Sequence, residues 1–224
     1  MNRYERNKII TEDEQMIMKH KRVCVIGCGG LGGYVIEMLA RFGIGTITVV
    51  DGDVFDETNL NRQLLSVMET IGKSKAFTAS ERIEAIDPSV VVHVVATRLD
   101  LENAVDIIKG HDVVVDALDG NDSRQIVLDA CRIQNIPMVY GAIGGWYGQV
   151  STVFPDDEWV RSQLSEKQDQ GIEVKIGNPS FTPACIASIQ VSETLKILLG
   201  KGELLREKMM FIDLLNNEME ILKK

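Results

Sequence analysis

The residues best suited to chemistry crowd into one stretch, Val23 to Lys75. Glycines at 27, 29, 30 and 32 interrupt an apolar run, and Asp51 and Asp53 close the next one. A cluster of amides and cations follows, Asn59, Arg62, Gln63 and Lys75. Glycines in such a turn let backbone N–H groups approach a phosphate, and the helix N-terminus behind them adds partial positive charge. Asp51, nineteen residues past Gly32, is placed to take a hydrogen bond from a ribose hydroxyl. Arg62 and Lys75 suit a polyphosphate, although isolated surface Arg and Lys are more often only solvated charges. Asp119, after the apolar run Asp112 to Ala117, is a hard carboxylate of the kind Mg²⁺ takes alongside phosphate oxygens. It is equally suited to cap the helix after it, as are Asn121 and Asp122.

These groups meet only if the intervening chain folds as alternating strands and helices. Val23 to Ile26 reads as a strand, Gly27 to Gly32 as a Gly-x-Gly-x-x-Gly turn, and Leu31, Val35 and Leu39 as a helix face closed by Gly43. Ile47 to Val50 is the next strand, and the order matches the dinucleotide-binding fingerprint. Gly72 to Lys75 opens an amphipathic helix that stops at Asp87-Pro88. Strands are expected at Val90–Val95, Asp112–Ala117 and Pro137–Tyr140, with helices at Leu99–Lys109 and Ser123–Gln134 between them. Near-continuous β-branched runs of this kind require a parallel sheet covered on both faces.

Beyond Tyr140, the glycine-rich Gly144–Gly148 leads to a strand at Gln149–Phe154. Thr182 as N-cap and Pro183 at the first position start a helix that runs to Gly200, and Met209–Ile212 reads as a last strand. Residues 1–21 form an N-terminal helical arm carrying a Thr11/Glu14 capping box. Residues 156–182 lack periodicity and are expected to be a long mobile crossover loop. The fold class is therefore α/β and Rossmann-like, a mostly parallel sheet flanked by helices, with antiparallel strands toward the C-terminal half. The length suits a single domain over residues 1–224.

Composition narrows the partners. With 45% apolar and 25% charged residues the chain can bury a core, and its net charge of −9 repels nucleic acid and anionic membranes. No apolar leader and no apolar run near eighteen residues is present, which points to the cytoplasm. Cys24, Cys28, Cys131 and Cys185 form no C-x-x-C pair, and His20, His93 and His111 are scattered, so no structural zinc is expected.

A glycine turn alone serves NAD and ATP alike. A nicotinamide enzyme needs a further substrate-binding domain for which little chain remains, whereas cations beyond Asp51 suit a triphosphate; an NAD-dependent oxidoreductase stays as the alternative class. Gly27–Gly32, Asp51, Asn59-Leu60-Asn61-Arg62-Gln63, Lys75, Asp119 with Arg124, and Arg3-Tyr4-x-Arg6 together resemble the ThiF/MoeB/HesA family of ubiquitin-activating-enzyme relatives. The likeness runs in the same order from Arg3 to about Gly200.

What that resemblance implies is ATP-dependent adenylation of the C-terminal Gly-Gly carboxylate of a small ubiquitin-like sulfur carrier protein. A thiamine-type carrier comes first; the molybdopterin synthase small subunit, or the substrate of a tRNA-modifying dehydratase, are the alternatives. It implies nucleotide binding by Gly27, Gly29, Gly30, Leu31, Gly32, Asp51, Asp53, Asn59, Arg62, Gln63 and Lys75. Catalysis would fall to Arg62, Lys75, Asp119 as the Mg²⁺ ligand, and Arg6 reaching into the partner of a homodimer. The paired cysteines that hold zinc in many members are absent here. Cys185 reads as a small buried residue at a helix start, with a reactive thiolate as the lesser alternative. Trp146 and Tyr147 either line the groove for the carrier's tail or cover the sheet.

Overall fold

A computed structural model describes residues 3–165 and 177–224. Five strands run parallel: β1 (Arg22–Ile26), β2 (Thr46–Val50), β3 (Val91–Val95), β4 (Val113–Asp116) and β5 (Met138–Gly144). Three more add antiparallel to them: β6 (Tyr147–Val153), β7 (Lys208–Asp213) and β8 (Glu218–Lys223). The order across the sheet is β3-β2-β1-β4-β5-β6-β7-β8.

Successive side chains of the central strands point to opposite faces, and both faces are apolar. Val23, Val25, Ile47, Val49, Val113 and Val115 pack under α2 (Gly30–Phe42), α3 (Lys75–Ile86) and α7 (Phe181–Leu199). Cys24, Ile26, Val50 and Val114 pack against α4 (Ala104–Ile108), α5 (Asn121–Gln134) and α6 (Trp159–Ser165). Each fully buried Val or Ile contributes roughly 1.5–3 kcal/mol, so the register is fixed on both sides at once. The chain winds outward from β1 to β2 and β3, then returns to β4 on the other flank of β1. A crevice opens beyond the carboxyl ends of strands at such a reversal, and the sequence brings the glycine turn, Asp51 and Asp119 to that edge.

Several local expectations change. Only α1 (Glu12–Met18) of the N-terminal arm is helical, capped by the expected Thr11/Glu14 box; residues 3–10 form turns. The Leu99–Lys109 helix shrinks to α4, because the Asp100 carboxylate accepts the N–H groups of Glu102 and Asn103 and holds a turn there. Gly120 is the N-cap of α5, so Asp119 and Asp122 do not cap it. β5 runs on to Gly144, leaving Gly145-Trp146 as a hairpin tip. The crossover is not all loop: α6 occupies its first part, and residues 166–176, where the rest of the expected mobility falls, lie outside the described residues.

Thr182 sits inside α7 behind the N-cap Ser180, and its hydroxyl donates instead to the Gly145 carbonyl at 2.6 Å. The last hairpin, β7 to β8, has a second strand that sequence reading missed. Its turn is signalled by Asp213, which accepts the N–H groups of Leu215 and Asn216, and by Asn217, which takes the left-handed conformation at φ +58°.

Candidate nucleotide site

A cleft of about 1040 Å³ lies beyond the carboxyl ends of β1, β2 and β4 and spreads over the β6–β7 face. Its volume is at the upper end for small-molecule sites. Gly27, Gly29, Gly30 and Leu31 form the floor, Asp51 and Asp53 one wall, Arg62, Gln63 and Lys75 the rim, and Leu118 to Gly120 the facing wall.

The turn is built for close approach. Gly27 has φ +97°, and a Cβ there would lie 2.6 Å from the Ala117 carbonyl oxygen; a methyl on Gly32 would overlap the Gly27 carbonyl oxygen. The Asp51 carboxylate braces this turn from the end of β2, accepting the N–H of Cys28 at 2.8 Å and that of Asp53 at 2.8 Å. Each oxygen keeps a second lone-pair direction for a ligand hydroxyl. Gln63 is buried, and its Oε1 has no hydrogen-bond partner among the described residues. An orphaned acceptor on a cleft wall fits a ligand donor.

The cations are held loosely. Lys75 is 9% exposed, and its ammonium lies 3.6 Å from Asp53. Asp53 also faces Arg98 at 3.5 Å. Arg62 donates to the carbonyl of Thr58 at 3.0 Å and to Oδ1 of Asn61 at 2.9 Å. Asp119 is exposed on the cleft wall. The donor set fits Mg²⁺ only in part: no group of three or more His, Cys, Asp or Glu able to hold a metal occurs among the described residues, so phosphate oxygens would complete the shell.

Three expected residues stand off the cleft. Gly32 acts through packing. Asn59 is buried, its side-chain oxygen accepting the Asp56 N–H at 3.1 Å, which closes the loop that presents Arg62. Arg6 is exposed on the docked arm and does not line its own chain's cleft. Arg3 and the Tyr4 hydroxyl bind Asp87, which ends α3 before β3 begins. That is the amino-terminal edge of the strands, a full strand of about 16 Å from the cleft edge.

Arg124 forms a buried pair with Asp116 at 2.7 Å, donates to the Leu118 carbonyl at 2.8 Å, and lies 4.9 Å over the Tyr140 ring. It thereby anchors the segment carrying Asp119. Sequence reading missed Arg98 and Asn178. Arg98 follows the end of β3, where the strand-end rule would have found it; Asn178 arrives across the crossover, and no local pattern marks it.

Burial pushes the Cys28 thiol well above its ordinary range, which removes it as a nucleophile at neutral pH. Cys185 is half-buried. Trp146 stacks on Phe181 with ring centroids 4.6 Å apart, while Tyr147 faces the cleft.

A model described as ThiF family matches residues 2–224. The chain is 35% identical to the SAMP-activating enzyme E1 of Haloferax volcanii over 98% of its own length and 84% of that protein. It is 37% identical to the probable adenylyltransferase/sulfurtransferase MoeZ of Mycobacterium tuberculosis, covering 95% of this chain but 57% of MoeZ. Among solved structures, the Escherichia coli tRNA N6-threonylcarbamoyladenosine dehydratase in complex with ATP superposes with a TM-score of 0.74 at 25% identity, covering 86% of this chain and 91% of that one.

Proposed function

The chain belongs to the ThiF family, and we propose that it adenylates the C-terminal Gly-Gly carboxylate of a small ubiquitin-like sulfur carrier, consuming ATP and releasing pyrophosphate. The observation that supports this most is the joint placement of the braced glycine turn, Asp51, Gln63, Lys75 and Asp119 around one cleft that continues onto the β6–β7 face. The nucleotide takes the charged half and the carrier's tail the half bordered by Tyr147, Gln149 and Phe211. Names among the relatives support the chemistry, including a sulfur carrier protein adenylyltransferase of Thermus thermophilus, 33% identical over 96% of this chain and 84% of that protein.

The attacking carboxylate is already an anion, so the chain need not supply a base. Its work is to align the carboxylate with the α-phosphorus and to offset charge on the α-phosphate and the departing pyrophosphate. Asp51 accepts the ribose hydroxyls, and Gln63 Oε1 takes a further nucleoside donor. Lys75 exchanges Asp53 for phosphate oxygens, and Arg62, held on one terminal nitrogen by Thr58 and Asn61, offers them its remaining guanidinium N–H groups. Mg²⁺, held by Asp119 and the phosphates, supplies further neutralisation when bound.

Arg6 projects from the opposite edge of its own sheet, so it serves the cleft of a second copy, and the working unit is a homodimer in the cytoplasm. ATP–pyrophosphate exchange, run with a thiamine-type carrier, a molybdopterin-synthase-type carrier and truncations lacking the terminal glycine, tests the proposal. Exchange is expected with one full-length carrier and none with its truncation; silence with every carrier overturns it.

A further inference from the structure

Arg62 is a half-buried cleft cation on a loop, and it is held by an ordered chain of bonds. Its guanidinium donates to Oδ1 of Asn61 at 2.9 Å. The amide nitrogen of the same Asn61 donates to the backbone carbonyl of Asn178 at 3.2 Å. One amide orientation satisfies both bonds; the flipped amide would set its NH₂ against the guanidinium. Asn178 is itself fixed to the β5–β6 hairpin tip: Gly145 N–H is shared between Oδ1 of Asn178 at 3.2 Å and the carbonyl of Gly177 at 2.8 Å. Thr182, the second residue of α7, holds the other side of that tip by donating to the Gly145 carbonyl.

Residue 61 is separated from residue 178 by 117 positions, so this contact is a tertiary one made where the crossover returns to the fold. It joins the phosphate-side loop to the hairpin that borders the tail-side half of the cleft. We propose that Asn61 is a positioning residue that aims Arg62 at the polyphosphate, and that Asn178 is the strut that fixes Asn61 against the hairpin tip. The inference rests on the nucleotide reading of the cleft above. Its consequence is a direct mechanical link between the two halves of the cleft. A displacement of the hairpin tip by an incoming tail moves Asn178, and through Asn61 changes where Arg62 points.

The test is a double-mutant cycle read by calorimetric binding of ATP and of adenosine to the full chain. Asn61→Ala is expected to weaken ATP about three- to tenfold, the range for the net worth of one ordinary hydrogen bond, and to leave adenosine unchanged. In an Arg62→Ala background the same substitution is expected to have no further effect on ATP. Asn178→Ala, which keeps the carbonyl but removes one of the two bonds that tie this segment to Gly145, is expected to give a smaller loss that vanishes in Asn61→Ala. Equal losses for ATP and adenosine, additivity with Arg62→Ala, or unchanged ATP affinity in Asn61→Ala would each overturn the assignment. Wild-type protein that binds neither nucleotide overturns the nucleotide reading itself, which separates the two failures.

Discussion

Asp87 at one edge of the parallel sheet and the cleft-lining carboxylates at the other are used in opposite ways. At the amino-terminal edge Asp87 is buried at 1% exposure and saturated: the Tyr4 hydroxyl, the Ser89 hydroxyl at 2.7 Å and the Ser89 N–H at 3.0 Å all donate to it, and Arg3 lies 2.9 Å away. Burial pushes its carboxyl up, but those partners hold it below the usual range. At the carboxyl-terminal edge Asp51, Asp53 and Asp119 keep accessible oxygens, Lys75 and Arg98 share one carboxylate at more than 3.4 Å, and Gln63 carries an unmet acceptor. Satisfied groups build a structure, and groups left short of partners are available to a ligand. The same strands separate the two, so their rigidity holds an incomplete polar site that would not persist by itself.

The sharpest way to break this contrast is Arg6→Ala. In the proposed homodimer Arg6, carried by the stable edge, would serve the open edge of another copy, so exchange is expected to fall by about 10³-fold or more, with ATP still bound. Mixing that variant with Lys75→Ala is expected to restore about a quarter of the sites by random subunit exchange, whereas an arginine acting within its own chain would restore none. Lys75→Ala alone is expected to cost about 10²–10³ in turnover. Its melting temperature should stay within about 3 °C of the wild type, because the lysine's ion pair with Asp53 is long and shared. A large loss of stability would mean that the open edge is structural after all.

Gly32→Ala probes the floor between the edges. The added methyl overlaps the Gly27 carbonyl oxygen, so nucleotide binding is expected to vanish and stability to fall by about 1–3 kcal/mol in chemical unfolding.

Tyr4→Phe has the smallest expected effect, about 1 kcal/mol of stability, with a partial loss of exchange because Arg6 rides on the same arm. Its signature is in pH. Burial, with the hydrogen bond to Asp87, raises the Tyr4 hydroxyl from 10.0 to about 12. A group raised on folding contributes fully below its unfolded value, so the Tyr4 contribution is complete below pH 10 and is lost as the pH passes through about 12. Melting temperatures of wild type and Tyr4→Phe should converge across that interval; parallel curves would mean that the arm is not held by this hydroxyl.

Much of the molecule is written locally. The apolar runs at 23–26, 47–50 and 113–115 can only be strands buried on both faces, and Gly43 and Gly200 end their helices in the left-handed conformation that glycine permits. The glycine turn and Asp51 are legible because strand, turn, helix and strand follow one another without a break, so sequence spacing becomes spatial geometry.

Elsewhere only the assembled fold decides. Asp119 as written was equally a helix cap or a site residue, and the two extra residues at the start of α5, which begins at Asn121, left Gly120 at the cap and the carboxylate facing the cleft. Asn59, expected at the nucleotide, braces its own loop by accepting the Asp56 N–H, a contact that only the folded loop reveals. Arg6, close in sequence to β1, ended at the far edge because Asp87 draws in Arg3 and Tyr4 from more than eighty positions away. Asn61 acquired its orientation from Asn178 across the crossover. Local pattern determines which elements form, since backbone hydrogen bonding and burial act over a few residues. Which polar side chains meet is set by long-range contacts, whose directional bonds exist only once the strands have paired.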